Sequence, residues 1–134
     1  MATTTPVEHI RLSQDARERL IQLKRRTGIP HWNTLSRWGL CRSLAEPSPP
    51  PNVPIPADSS VEMSWKVFAG PYGDIFLALL RIRCQRDGLS ADDDTVASQF
   101  RLHLHRGISY LQADRTIADV GALLKLVVPK SPER

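Results

Sequence analysis

The first regular pattern along the chain is a short alternation of apolar and polar residues. Ile10 and Leu12 are apolar, whereas His9 and Arg11 are polar. This period of two is typical of a strand with one buried face. We therefore expect a short strand over residues 9–12.

A helical period begins directly after this strand. Ser13 is a candidate N-cap and Gly28 a candidate C-cap, while Pro30 would prevent the helix from continuing. Between the caps, residues spaced i, i+4, i+7 and i+11 form one inward face, which consists of Ala16, Leu20, Leu23 and Thr27.

A second helix is predicted from Trp32 to Leu44. Its predicted inner face consists of Leu35, Trp38, Cys41 and Ala45. Arg37 falls on the outer side of this helix. At helical spacing, Trp32 and Trp38 are predicted to be core residues rather than platforms for stacked bases.

The order of strand, helix, glycine turn and helix over residues 8–45 is typical of the ribbon-helix-helix DNA-binding unit. A lone strand needs a partner strand. In simple proteins of this class, the partner is the same strand of a second subunit. Residues 61–67 also alternate apolar and polar side chains, and they could instead pair with the first strand in the same chain. The sequence is consistent with either arrangement.

The length predicts a single domain over residues 1–134. Within it, residues 46–60 connect the N-terminal module, residues 8–45, to a second half over residues 61–128. Six prolines between Glu46 and Pro56 exclude a helix there and predict a stiff, extended surface linker. Residues 129–134 are expected to be a frayed tail.

The second half is predicted to be helical after its strand. Residues 74–86 are apolar over most of the helix circumference, so this helix should be buried on more than one side, within the domain or against another subunit. A longer helix should begin with the capping-box-like Ser90 and Asp93 and extend to about Leu111. Its predicted inner face consists of Val96, Ala97, Phe100, Leu104, Gly107 and Leu111.

Gly107 on that inner face indicates a close approach by another helix. A last helix, capped by Asp114 or Thr116, is predicted to direct five residues inward, namely Ile117, Val120, Leu123, Leu124 and Val127. The predicted fold class is thus mainly α with a small β-ribbon, in which a ribbon-helix-helix-like N-terminal module precedes a helical second half.

Positive charge is concentrated in the N-terminal module. Residues 1–45 contain 8 Lys and Arg against 3 Asp and Glu, a net charge of +5, whereas residues 46–134 have a net charge of −1. Five cations follow Ala16 in the first helix and only Glu18 opposes them, which favours a phosphate-binding surface. The predicted DNA-contacting residues are Arg17, Lys24, Arg25, Arg26 and Arg37.

Several other functions are not indicated. No apolar run approaches the roughly 20 residues of a membrane span, and the start of the chain does not resemble a signal peptide, so a cytoplasmic location is expected. Cys41 and Cys84 are far apart without metal-binding spacing and are predicted to be small buried hydrophobes.

Catalytic chemistry is not supported by the spacing of the polar residues. On a helix, His103 and His105 diverge by about 200°, so that His103 edges the core while His105 faces outward. Asp92, Asp93 and Asp94 are explained by the positive end of a helix dipole. We predict no catalytic residue, no metal site and no cofactor.

An ordered set of residues resembles the DndE family, the DNA sulfur modification proteins of bacterial phosphorothioation systems. The set spans about residues 8–128 and consists of Leu12-Ser13, Leu23-Lys24-Arg25, Thr27-Gly28, Ser36-Arg37, Ser43-Leu44, Gly107-Ile108 and Leu111. Lys24 and Arg25 match the basic stretch of the family by position. The proline-rich connector looks longer than in some family members.

This resemblance implies a mostly helical protein that self-associates as a tetramer or dimer and binds double-stranded or nicked DNA through a basic surface. The implied partners are DndC- and DndD-type proteins and a cysteine desulfurase, in a system of the restriction-modification kind. The leading hypothesis is a non-enzymatic DNA-binding subunit. The alternatives are a nicking nuclease, in which His103, His105 and the acidic cluster converge, and a ribbon-helix-helix transcriptional repressor.

Overall fold

The N-terminal strand pairs within its own chain. In the computed structural model, which describes residues 5–126, strand β1 (His9–Arg11) is antiparallel to strand β2 (Glu62–Ser64), and Ile10 lies opposite Met63. Ile10 and Met63 are both buried, so the ribbon has one face on the core. Of the two arrangements that the sequence allowed, the structure therefore has the pairing in cis.

The rest of the described chain is helical, which confirms the predicted fold class. The helices are α1 Gln14–Thr27, α2 Trp32–Leu44, α3 Trp65–Ala69, α4 Gly73–Arg86, α5 Asp93–Ala113 and α6 Val120–Leu124. A 3₁₀ turn over Gly70–Tyr72 links α3 to α4. None of the helices within residues 5–126 is long and apolar enough to cross a bilayer.

Helix α1 begins and ends where its caps were predicted. The Ser13 hydroxyl accepts a hydrogen bond from the Ala16 backbone N–H at 3.0 Å. At the other end, Gly28 has a φ of 74°, and its N–H donates to the Lys24 carbonyl at 2.9 Å. The predicted inner face of α1 is buried in full.

The second strand is shorter than the alternation of residues 61–67 predicted. It ends at Ser64, whose hydroxyl accepts a hydrogen bond from the Val67 N–H at 3.1 Å and so caps α3. Trp65, Phe68 and Ala69 are then buried at helical spacing. The prediction of a strand over residues 65–67 is wrong, because an N-cap serine and this apolar spacing favour a helix.

Helix α2 packs through small residues rather than through the face that was predicted. Its buried residues are Leu35, Ser36, Gly39, Leu40 and Ser43. Cys41 and Ala45 are exposed, so the prediction for these two residues is wrong, whereas Trp38 is half-buried and packs against the core. Trp32 is also half-buried against the core.

A glycine pair explains this rotation of α2. A Cβ atom added at Gly107 of α5 would overlap the Gly39 carbonyl of α2, and one added at Gly39 would lie 2.9 Å from Ile108 Cγ1. The backbones of the two helices are therefore in direct contact. Gly107 does receive another helix, as predicted, but this helix is α2 of the same chain.

Helix α5 contributes the largest share of the core. Its buried residues include Val96, Phe100, Leu104, Gly107 and Leu111, as predicted, whereas Ala97 is half-buried. Phe100 also joins Trp65, Phe68 and Phe76 in a cluster whose ring centroids lie 5.2–5.7 Å apart. The α5 helix extends to Ala113, two residues beyond the predicted end.

Helix α4 is buried on one side only within this chain. Phe76, Leu80, Arg83 and Cys84 face the protein. Of the two predicted alternatives, burial on more than one side within the domain is wrong, because three large apolar side chains remain 42–58 % exposed, namely Ile75, Leu79 and Ile82. Burial of α4 against another subunit stays a prediction.

The C-terminal helix is short and differs from its prediction. Asp119, rather than Asp114 or Thr116, caps it by accepting a hydrogen bond from Ala122 N–H at 2.8 Å. Ile117 and Leu123 are buried, but Val120 and Leu124 are exposed, because a helix of this length directs little of its surface inward. The prediction for Val127, and the predicted tail over residues 129–134, lie outside the described residues.

The proline-rich connector lies against the helices and is not a free linker. Arg83 donates to the carbonyls of Pro47 and Ser48 at 3.2 and 2.7 Å, and Arg106 also donates to Ser48 at 2.8 Å. Further along, Arg101 donates to the carbonyls of residues 55 and 56. Extended chain leaves its carbonyls without partners, and these guanidinium groups satisfy them.

We expect Gly107→Ala to destabilise the fold by about 1–3 kcal/mol or more, because the added methyl group overlaps backbone that cannot move without separating α2 from α5. The loss of stability can be measured by thermal unfolding. Ser98→Ala, on the exposed side of α5, is the control and should have the same melting temperature as the wild type. A Gly107→Ala protein with an unchanged melting temperature would contradict the glycine contact.

Candidate nucleic-acid interface

Helix α1 presents the cations from which a nucleic-acid interface could be built. Arg25 is exposed on the side opposite the core, and Arg17 is partly exposed on one flank. No hydrogen bond or ion pair of these two side chains is found in the part of the chain from residue 5 to 126. Both guanidinium groups are therefore available to an external anion.

Lys24 lies on the same flank of α1 and is held against α2. Its Nζ atom lies 3.4 Å from the centroid of the Trp32 ring. A cation over an aromatic face is attracted by the ring quadrupole. The tryptophan at the start of α2 therefore fixes the position of Lys24 while leaving its charge at the surface.

The opposite flank of α1 is bound to the end of α5. Arg19 pairs with Asp15 at 2.8 Å and donates to the Gln112 side-chain oxygen at 2.6 Å. Arg26 donates through Nη1 to the Gln112 carbonyl at 2.7 Å. This carbonyl lies in the last turn of α5, where backbone acceptors lack helical partners. Arg19 and Arg26 are thus partly used in holding α1 to α5.

Arg37 contacts a different part of the molecule. Its guanidinium donates to the Phe68 carbonyl at 2.9 Å and to the Thr34 hydroxyl at 3.5 Å. Within residues 5–126, none of its hydrogen bonds reaches α1. The structure therefore does not join Arg37 to the four predicted cations of α1, and its role in DNA contact stays a prediction.

A groove between α1 and the segment after α5 adds a cation that the sequence analysis missed. The groove has a volume of about 640 Å³ and is lined by Gln22, Arg26, Gln112, Ala113, Arg115, Ile117 and Ala118. Arg115 is exposed. It was missed because it is a single charge in a nearly neutral half of the chain, 89 positions after Arg26 in the sequence.

The histidines and aspartates that looked enzyme-like are not brought together. His103 is buried, and Asp93 lies about 15 Å away along α5. Among residues 5–126, no group of three or more His, Cys, Asp or Glu side chains could hold a metal ion. The nicking-nuclease alternative required the histidines and the acidic cluster to converge, and in the structure they do not.

His103 belongs to a buried polar cluster at the end of α2. Its Nδ1 lies 2.8 Å from the Ser43 hydroxyl, which also accepts a hydrogen bond from Arg106 Nε at 2.8 Å. The Ser43 hydroxyl can donate to a bare Nδ1 or accept from a protonated one, so either tautomer fits this contact, and the buried Nε2 has no hydrogen-bond partner among the described residues. Burial, reinforced by the charges of Arg83 and Arg106, lowers the pKa of His103 from its ordinary 6.5 to about 4.

His105 does not face outward as predicted. It is half-buried, because its Nε2 accepts a hydrogen bond from Ser13 N–H at 3.2 Å and its Nδ1 lies 2.9 Å from the Arg101 carbonyl. Burial lowers the pKa of His105 to about 4 as well. Both ring nitrogens have partners within the fold, so this histidine joins the start of α1 to α5.

The two cysteines differ in environment. Cys84 is buried, as predicted, and desolvation raises the pKa of its thiol. Cys41 is exposed, which contradicts its prediction, because the glycine contact rotates α2. The Cys41 side chain lines a shallow apolar pocket with Trp38, Tyr72 and Phe76.

We expect the protein to lose stability as the pH falls from 7 to 5. His103 and His105 stay neutral in the folded state, with pKa values of about 4, whereas in the unfolded chain they bind protons below about 6.5. The unfolded state then binds more protons, which costs about 1–2 kcal/mol of folding free energy per histidine at pH 5. Urea unfolding at several pH values measures this.

The exposed His31 provides a matched comparison for that measurement. His105→Gln should reduce the dependence of stability on pH, and His31→Gln should not. Equal pH dependence in the two variants would contradict the assignment to the buried histidines.

A family model described as DNA sulphur modification protein DndE matches residues 9–119. This match includes both strands, helices α1 to α5 and the groove beside Arg115. No curated protein matches the chain.

Proposed function

The chain belongs to the DndE family, and from this premise we propose that it is the DNA-binding, non-enzymatic subunit of a DNA phosphorothioation system. A role in DNA sulphur modification follows from the family. The observation that carries the DNA-binding part of the proposal is the outer surface of α1, where Arg17, Lys24 and Arg25 lie with their charges accessible.

The geometry of α1 fits a phosphate backbone. Arg17 and Arg25 are eight residues apart on a helix, which corresponds to about 12 Å along its axis. One strand of duplex DNA presents about three phosphates over that length. Because α1 is capped at both ends and packed along its inner face, it fixes the backbone positions from which these side chains extend.

The proposed substrate is duplex DNA, either intact or nicked. The protein would bind the duplex while DndC- and DndD-type proteins and a cysteine desulfurase supply the chemistry that places sulphur in the backbone. The pairing of β1 with β2 in cis disfavours the repressor alternative, since a repressor of the simple ribbon-helix-helix class builds its ribbon from two subunits.

Replacing Lys24 and Arg25 together by alanine should weaken binding to all DNA sequences alike. Each lost phosphate contact should reduce the slope of log affinity against log salt concentration by roughly 0.9, because fewer counterions are released. Fluorescence anisotropy with intact and nicked duplexes at several salt concentrations measures both quantities.

The control removes the same charge from other surfaces. Lys66→Ala with Arg86→Ala changes two exposed cations outside the N-terminal module. This control should keep most of the affinity and the slope. If both double variants lose the same amount of DNA affinity, net charge rather than the surface of α1 determines binding. A wild-type protein that does not bind DNA refutes the proposal.

Self-association is the second part of the proposal. Ile75, Leu79 and Ile82 form an exposed apolar stripe at spacing i, i+4 and i+7 on α4. Tyr72, at 53 % exposure, extends this stripe at the start of the helix. Contiguous exposed apolar surface of this kind marks protein interfaces. We assign the stripe to contact with a second copy, which would multiply the DNA affinity through avidity.

Leu79→Glu with Ile82→Glu should convert the oligomer to a monomer while leaving the fold intact, because these side chains are exposed within the protomer. Light scattering gives the mass and circular dichroism gives the fold. Val53→Glu, on an equally exposed residue of the connector, should leave the mass unchanged. A wild-type protein that is monomeric at micromolar concentration would rule out the assignment.

A further inference from the structure

The groove beside Arg115 has the composition of an anion site. Two guanidinium groups, from Arg26 and Arg115, and two carboxamides, from Gln22 and Gln112, line it. None of its lining residues is acidic. The cavity beside His105 is different, since its lining includes the carboxylates of residues 15 and 58.

Hydrogen bonds between the helices hold the wall of the groove in place. The Gln112 side chain accepts from Arg19 at 2.6 Å and donates to the Gln22 oxygen at 2.6 Å, while its carbonyl accepts from Arg26. Gln112 thus joins three residues of α1. A guanidinium carries five N–H donors. Arg26 uses only Nη1 within the part of the chain that the structure describes, and its other nitrogens remain able to donate.

Part of the groove lining is apolar. Ile117 is 1 % exposed, and Ala113 and Ala118 are small, exposed residues beside it. A ligand with phosphate oxygens beside a less polar sugar matches this arrangement, because guanidinium groups bind phosphate with paired N–H donors.

We propose that this groove is a second binding site for the DNA backbone, in which Arg26 and Arg115 bind phosphate oxygens and Gln112 positions Arg26. The proposal rests on the DNA binding proposed above and extends it to the opposite flank of α1. Continuity favours DNA over a free anion, since Lys24, Arg25 and Arg26 are consecutive and spread around the outer half of one helix turn.

Arg115→Ala tests the site without disturbing packing, because this side chain is exposed. We expect a several-fold loss of duplex affinity and a salt slope smaller by roughly 0.9, as for one lost phosphate contact. Arg115→Lys should recover part of the affinity, since it restores the charge but not the paired donors. Lys125→Ala removes an exposed cation that does not line the groove and should bind like the wild type.

These measurements distinguish the proposed site in the groove from the DNA binding proposed for the outer surface of α1. If the wild type binds DNA and the Lys24 and Arg25 variant does not, but Arg115→Ala binds with unchanged affinity and slope, the groove is not a DNA site. If the wild type fails to bind, both proposals fall. Calorimetry with inorganic phosphate identifies a free-anion site, and binding of phosphate that depends on Arg115 without any change in the DNA slope would also overturn the proposal.

Discussion

The contact between Gly39 and Gly107 determines how the rest of the chain is arranged. Two helices whose backbones touch cannot rotate or slide without overlap, so the contact fixes which sides of α2 and α5 face each other. With α2 set in this way, small residues lie against α5 and the larger Trp38 is left half-buried. Helix α5 also contacts α1 and α4.

The arginines divide into two groups by the partners they find. Three arginines of α4 and α5, namely Arg83, Arg101 and Arg106, donate to carbonyls of the connector and are used in the fold. Arg17 and Arg25 of α1 find no such partners among residues 5–126. Net charge alone does not distinguish these groups, because a guanidinium bound to a neutral carbonyl keeps its charge but loses its freedom to bind another anion.

Several local features were predictable from the sequence, and most features that depend on distant partners were not. Ser13 and Gly28 act on the helix beside them, so both caps of α1 were correct. The buried face of α2 was missed because Ser36, Gly39 and Ser43 carry little hydrophobic signal. In the candidate interface, α1 and its cations could be identified, whereas the partners of Arg26 and Arg37 lie 86 and 31 residues away. The groove could not be predicted, since only the packing of α5 brings Arg115 near α1.

The cis ribbon also has a consequence for the order in which the protein folds. Leu12 and Ser59, joined beside the ribbon by a hydrogen bond of 2.7 Å, are 47 residues apart, and the chain between them contains α1, α2 and most of the connector. Closing a loop of that length in an unfolded chain costs about 3 kcal/mol of entropy, more than a few ribbon hydrogen bonds return. We therefore expect the ribbon to form after the helices between its strands have packed.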